Sequence, residues 1–448
     1  MNPLISSIAR GWFRACSVTA AWPMIALAQT PDESTAPDWY SLHIQGTYAT
    51  QGHPGFGSAI PNGPQSMLSK AQMAETADIT LYAGLRLGRV EFFVNPEMDQ
   101  GFGPSDTHGV AGYTSGEAYK AGQYDPYYRM ARLFGRVVWD LGGDSVDVPD
   151  GINQIAGVRT ADSIVLTLGK FGIADIFDTN TYAHDPRNDF FNWSVIDSGA
   201  FDYGAESWGY TYGAALEWTQ DWWTVRAGIF DMSRQPNQAD LTVNFQNNQT
   251  VAEFEERHHW RGHPGKIKVL GFLTDARMGA YADALRLGAA SGQTPDTALV
   301  RRYHLRGGGG INLEQEALDG VGLFAKASMN DGRYEEYDFT DIDRSLAAGI
   351  SLSGTLWGRP LDGLGLAGVA NGLSSDARRY FAAGGIGGII GDGSLPAYGS
   401  EKILEAYYRI GIVDGVHLTA DYQHVVNPAY DKVRGPIEMW AFRLHAEY

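Results

Sequence analysis

The sequence predicts an all-β fold: a transmembrane up-and-down antiparallel β-barrel of about 16 strands, with short periplasmic turns and long extracellular loops. Three observations carry this expectation. Alternation of period two recurs from residue 39 to the end of the chain. The connections between the alternating runs are long and short in turn. No stretch beyond the N-terminal leader is apolar for the ~18 residues a spanning helix needs, which excludes a bundle of membrane helices.

The chain has 448 residues, 56 of them Gly, with 12% aromatics and a formal net charge of −18. That acidity disfavours a nucleic-acid binder, which needs a basic footprint. The aromatic content disfavours disorder. The single cysteine, Cys16, cannot form an intramolecular disulfide.

Residues 1–28 read as a secretory signal. Arg10 and Arg14 give a positive start, Ala15 to Leu27 is mostly apolar, and Ala26-Leu27-Ala28 is a small-x-small cleavage pattern. Cleavage after Ala28 would leave a short periplasmic segment, 29–38, before a single barrel domain, 39–448, in a Gram-negative outer membrane.

The first strand shows the pattern. Tyr40, Leu42, Ile44, Gly46 and Tyr48 form one face; Ser41, His43, Gln45, Thr47 and Ala49 form the other. Comparable runs lie near 39–51, 75–86, 88–97, 129–141, 160–170, 208–219, 222–232, 250–260, 266–276, 302–314, 320–330, 344–355, 362–372, 401–412, 415–426 and 437–448. The long connections are 52–74, 98–128, 171–207, 233–249, 277–301, 331–343, 373–400 and 427–436. The short ones are tight turns, except 142–159, a longer loop on the rim that should carry turns.

The polar faces carry Arg86, Glu91, Arg132, Arg136, Glu217, Arg226, Glu253, Glu255, Arg306 and Arg443. Charges on a lipid face cost about 2–4 kcal/mol each at the midplane, so this face is expected to look inward onto a wet lumen. Aromatics cluster near strand ends at Trp39-Tyr40, Trp139, Trp208-Tyr210, Trp222-Trp223, Tyr407-Tyr408 and Trp440, as interfacial girdles do.

Several stretches together resemble the carbohydrate-selective porin family, the OprB-like porins of Gram-negative bacteria. They are Gly169-Lys170-Phe171, the run Asp175 to Arg187, Asp189 to Ser194, Phe201-Asp202-Tyr203-Gly204 with Trp208-Gly209-Tyr210, Asn427-Pro428-Ala429-Tyr430, Gly435-Pro436 and Phe442 to Tyr448. The resemblance implies a sixteen-stranded, monomeric barrel with a narrow, arginine-containing constriction. It also guides how the weaker strands are divided. The terminal Tyr448 matches the aromatic ending that the barrel-assembly machinery reads in this class.

The expected function is passive, carbohydrate-preferring diffusion of small sugars. Loop 171–207 is too aromatic for disorder and long enough to be functional, so it is expected to fold into the lumen. Arg187, Asp178 and Asp185 beside Phe190, Phe191 and Trp193 supply hydrogen-bonding charges and ring faces, the chemistry a sugar needs. The candidate lumen residues are Arg86, Arg132, Arg136, Arg226 and Arg306, with Glu91, Glu217, Glu253 and Glu255 as counter-charges. Partners are the sugars, outer-membrane lipid and lipopolysaccharide. Alternatives are a substrate-general or anionic-solute porin, or a barrel-borne binding or adhesion protein. No enzyme, cofactor or metal is expected. Gly363 to Gly368 matches GxGxxG inside an alternating strand, with no helix following. His258 and His259 are adjacent and would face opposite ways.

Overall fold

The computed structural model describes residues 38–118 and 122–448, so the leader and its cleavage site lie outside the described residues. The strands are β1 (Tyr40–His53), β2 (Gln72–Leu87), β3 (Val90–Gly101), β4 (Tyr127–Val148), β5 (Gly157–Phe171), β6 (Thr211–Gln220), β7 (Trp223–Asp231) and β8 (Asn248–Trp260). They continue as β9 (His263–Met278), β10 (Arg302–Leu318), β11 (Val321–Asn330), β12 (Arg344–Ser353), β13 (Gly363–Gly372), β14 (Glu401–Val413), β15 (Val416–Val426) and β16 (Ile437–Glu447). Each pairs antiparallel with its neighbours in sequence, and β1 pairs with β16 to close the barrel. At the seam Gln45 faces Glu447 and Gly52 faces Trp440.

One rim carries tight turns whose residues take positive φ, which a two-residue hairpin of right-handed twist demands. Gly88, Gly262, Gly320 and Gly415 supply it without steric cost. The opposite rim carries the long loops. These hold a helical turn, α1 (Trp193–Ile196), and two short helices, α2 (Tyr281–Ser291) and α3 (Ser375–Ala382). Ser374 caps α3 by accepting from the Ala377 N–H at 3.0 Å.

The two faces have the expected orientation. In β1, Leu42 is 57% exposed and Ile44 and Tyr48 also point out, while Ser41, Gln45, Thr47 and Gln51 are buried. In β16, Trp440, Phe442 and Leu444 point out, while Arg443 and His445 are buried. The apolar side chains therefore meet lipid and the ionisable ones face the bore.

Three features differ from the sequence reading. The segment 142–159 is mostly strand: Ser145 to Val148 pair with Thr160 to Gly157, leaving a connection of 149–156. Register shifts at Asp140/Gly142 and Gly142/Ser145 break the alternation there, so the pattern hides a continuing ribbon. The inner face also holds an aromatic chain that alternation alone does not separate from the lipid face. Phe93 stacks on Phe134 at 5.0 Å, and Phe171 lies 6.1 Å from Phe134 and 5.7 Å from Phe230. Finally, Trp39, Tyr40, Trp222 and Trp440 are exposed as girdle residues should be, but Tyr210 and Tyr407 are buried in the interior. Both lie on the inner side, where loops cover the wall.

Candidate functional site

The segment between β5 and β6, residues 172–210, crosses the inside of the barrel and is tied to walls on every side. Near its start, the Asp178 N–H donates to Glu253 of β8 at 2.8 Å, and the Thr181 N–H donates to Glu314 of β10 at 2.7 Å. Lys268 of β9 donates to the Thr179 hydroxyl at 2.6 Å. Further on, Lys326 of β11 donates to the Ala183 and Ile196 carbonyls. Phe191 N–H donates to Glu405 of β14 at 2.5 Å, and Arg443 of β16 donates to the Pro186 carbonyl at 2.5 Å. Burying these wall charges is tolerable because the loop's own backbone satisfies them.

Glycines in the wall make room for the loop's rings. A Cβ at Gly365 of β13 would stand 2.2 Å from the Tyr407 ring and 2.7 Å from Phe190; one at Gly322 of β11 would stand 2.2 Å from Tyr182. Phe190 sits edge-on to Tyr407 at 4.9 Å and to Phe324 at 5.6 Å. Phe191 lies under the Arg443 guanidinium at 4.5 Å. Both phenylalanines are fully buried and seat the loop.

Between this loop, residues 113–118 of the second long loop and the inner wall lies a cavity of about 290 Å³. Its boundary includes Arg132, Arg187, Asp175, Asp185, Asp197, Glu117 and Gln45, with Tyr82, Tyr113, Trp193, Tyr203, Trp208, Tyr210 and Phe339. Arg132 is forked onto Asp175 at 2.6 and 2.7 Å and lies 4.7 Å from the Tyr210 ring. Arg187 is ringed by Asp78 at 3.4 Å, Glu117 at 3.4 Å and Glu97 at 3.8 Å. Trp193 packs at 5.4–5.6 Å against Tyr113, Tyr203 and Phe339.

Protonation in the loop is set by burial and neighbours. Burial pushes the Asp197 carboxyl up, Asp178 adds to this and Lys326 opposes it, leaving it at about 7. Burial and then Asp185 raise Asp189 to about 6. Burial also pushes Asp185 up, but Arg187 and hydrogen bonds from Asn188 and the Arg187 backbone overcome it and hold the group below its ordinary value.

The structure sorts the sequence candidates. Arg132, Arg187, Asp185 and Trp193 come together at the cavity. Asp178 lies elsewhere, accepting from the Ser198 N–H at 2.6 Å and from Asn312 at 2.9 Å, so it ties the loop to itself and to β10. Arg226 holds Glu217, Glu253 and Glu255 at 2.8–3.0 Å on the wall. Arg306 is paired with Asp202 at 2.6 Å, both nearly inaccessible. Arg86 donates to Glu91 and to the carbonyls of Asp38, Ile155 and Ala156; Arg136 lies 3.5 Å from Glu91.

Sequence reasoning missed Tyr82, Tyr113, Tyr203, Tyr210 and Glu117. Tyr82 shares its face of β2 with Thr80, which alternation shows; Tyr113 and Glu117 come from the second long loop, which carries no such pattern. On the turn rim, ligand-capable atoms of His263, Glu316 and Asp319 lie within 4.8 Å of one another. Asp319 is fully exposed, and the three read as a surface ion-pair group.

A closed barrel of this strand number, apolar outside and ionised within, is an outer-membrane channel. Residues 65–448 match the sequence model of the carbohydrate-selective porin, OprB family, and the chain belongs to that family. It is an outer-membrane porin for carbohydrates. In fold it is similar to Pseudomonas putida OprB solved at high pH, with a TM-score of 0.70 and 13% identity over 92% of this chain and 94% of that one. The low-pH structure of the same porin aligns with a TM-score of 0.50 at 11% identity, over 92% of this chain and 93% of that one. The outer membrane channel DcaP of Acinetobacter baumannii aligns with a TM-score of 0.52 at 10% identity, over 94% of this chain and all of that one. No curated protein matches the chain in sequence.

Proposed function

We propose that the cavity between the second and third long loops is the selective stretch of the sugar path, and that residues 171–207 form its constriction. The observation that carries this is the joint lining of one 290 Å³ space by guanidiniums, carboxylates and ring faces. Arg132 and Arg187 offer donors, Asp175, Asp185 and Glu117 offer acceptors, and Tyr82, Trp193 and Tyr210 offer apolar faces to a sugar ring. Each lining arginine already has carboxylate partners, so the ring carries no excess of positive charge to favour anionic solutes. Passage is passive, with contacts loose enough to release the solute.

The wall sets around Arg226, Arg306, Arg86 and Arg136 brace the barrel. The protein acts as a monomer in lipid and lipopolysaccharide, with its last strand read by the assembly machinery and its leader removed after Ala28. It is a channel without catalytic chemistry. Planar-bilayer recordings test the reading: glucose should reduce single-channel conductance in a saturable way, and liposomes should swell in glucose. Conductance with no glucose effect, or equal flux of glucose and an acidic sugar, overturns sugar preference.

A further inference from the structure

The connection between β4 and β5 stands apart from the other turns of its rim. β4 and β5 continue as a two-stranded ribbon past their neighbours. The β3 pairing of β4 ends at Val137, and the β6 pairing of β5 ends at Ser163, yet β4 and β5 stay paired to Val148 and Gly157. The ribbon bends at the register shifts beside Gly142 and Gly143, both at positive φ.

Its tip, residues 149–156, then turns inward. Asp150 meets His43 of β1 at 3.1 Å, and Ser41 donates to the Gly151 carbonyl at 3.3 Å. Asn95 of β3 donates to Asn153 at 2.9 Å, and Arg136 donates to its carbonyl at 3.1 Å. Arg86 holds the Ile155 and Ala156 carbonyls, and Ile155 is fully buried. Ile152, at the apex, borders the same cavity as Arg132 and Arg187.

Residues 354–362 between β12 and β13 are as long, so length is not what sets this connection apart; partners on four strands and a buried isoleucine are more than joining two strands needs. We propose that residues 149–156 form a second restriction on the periplasmic side of the channel, fixed in place and in series with the loop constriction, with Ile152 setting its width. Uncharged polyhydroxylated solutes are the class it admits: Asp150 is engaged by His43, Arg86 and Arg136 lie against Glu91 and the tip's carbonyls, and the remaining groups are amides and hydroxyls. The proposal rests on the cavity being the solute path.

The test uses two changes of opposite sign in the full chain. Replacing 149–156 by Asn-Gly joins the paired Val148 and Gly157 directly with a hairpin turn. It should raise single-channel conductance about twofold and speed liposome swelling in a disaccharide more than in glucose. Ile152→Trp should do the reverse, and covers the case in which the shortened variant fails to assemble. Heat-modifiable gel mobility reports a folded barrel. Folded variants with wild-type conductance and an unchanged disaccharide-to-glucose ratio overturn the second restriction. If Arg187→Ala alters sugar flux while these do not, only this proposal falls; if none of the three moves it, the cavity reading falls as well.

Discussion

Arg187 and Arg226 each stand among three carboxylates, but in different ways. Arg226 projects from β7, and Glu217, Glu253 and Glu255 on the flanking strands close on it at 2.8–3.0 Å. Arg187 comes from the loop, and Asp78, Glu97 and Glu117 stand off at 3.4–3.8 Å around it at the edge of the cavity. Strand register fixes the first set, because paired strands bring opposite residues to contact distance. The second depends on where a loop lands. The difference teaches that counts of arginines and carboxylates do not say which sets border the cavity; Arg132, strand-borne and tightly paired yet at the cavity, shows that placement decides this.

The contrast breaks most sharply on stability. Arg226→Ala takes the ion-pair partner from buried Glu253 and half-buried Glu217, while Glu255 keeps Arg257 and Lys268, and should cost about 3 kcal/mol, read as easier urea unfolding in detergent or lipid, with ion selectivity unchanged. If selectivity shifts and stability holds, the wall set belongs to the path. Arg187→Ala should instead deprive Glu117 at the cavity and Asp78 behind it of this cation, while Glu97 keeps Arg129, and shift the cation-to-anion permeability ratio about tenfold toward cations, measured as reversal potential in a salt gradient. Trp193→Ala should weaken glucose block by about 1 kcal/mol through loss of a ring face. Phe190→Ala should lower stability without a comparable loss of block, because Phe190 touches the wall and not the cavity.

The smallest effect is electrostatic. Asp197, at about 7, borders the cavity 3.8 Å from His184, and Asp189, at about 6, lies deeper in the loop. For both, the folded state holds its proton to higher pH than a free carboxyl. Lowering the pH from 8 to 5 therefore neutralises Asp197 first and Asp189 next, which makes the lumen less negative. Reversal potentials should drift toward anion preference over that range, and Asp197→Asn should remove the upper part of the drift. A flat profile in the wild type would show that these groups do not sense the pore.

The barrel was legible because lipid outside and charge inside impose a strict period of two over nearly every strand. Leu42, Ile44 and Tyr48 against Ser41, Gln45 and Thr47 state the whole rule. The pattern failed where pairing is irregular, as at Gly142 and Gly143, and where the inner face is covered by protein, as at Phe93, Phe134 and Phe230. Loop composition pointed to residues 171–207, but not to which of their rings face the cavity. Phe190, Phe191 and Trp193 are near neighbours in sequence, and only Trp193 borders it. That outcome is set by wall glycines such as Gly365, more than 150 residues away, whose role no local pattern displays.

The seam between β1 and β16 joins segments nearly four hundred positions apart, with Ile44 and Tyr448 exchanging backbone hydrogen bonds at 2.9 Å in each direction. A ribosome must therefore release the final strand before the cylinder can shut. Until then two raw edges stay available to any stray peptide. Those edges must be kept apart from other chains until the barrel shuts, and shortening the last strand should yield aggregates long before it yields a leaky pore.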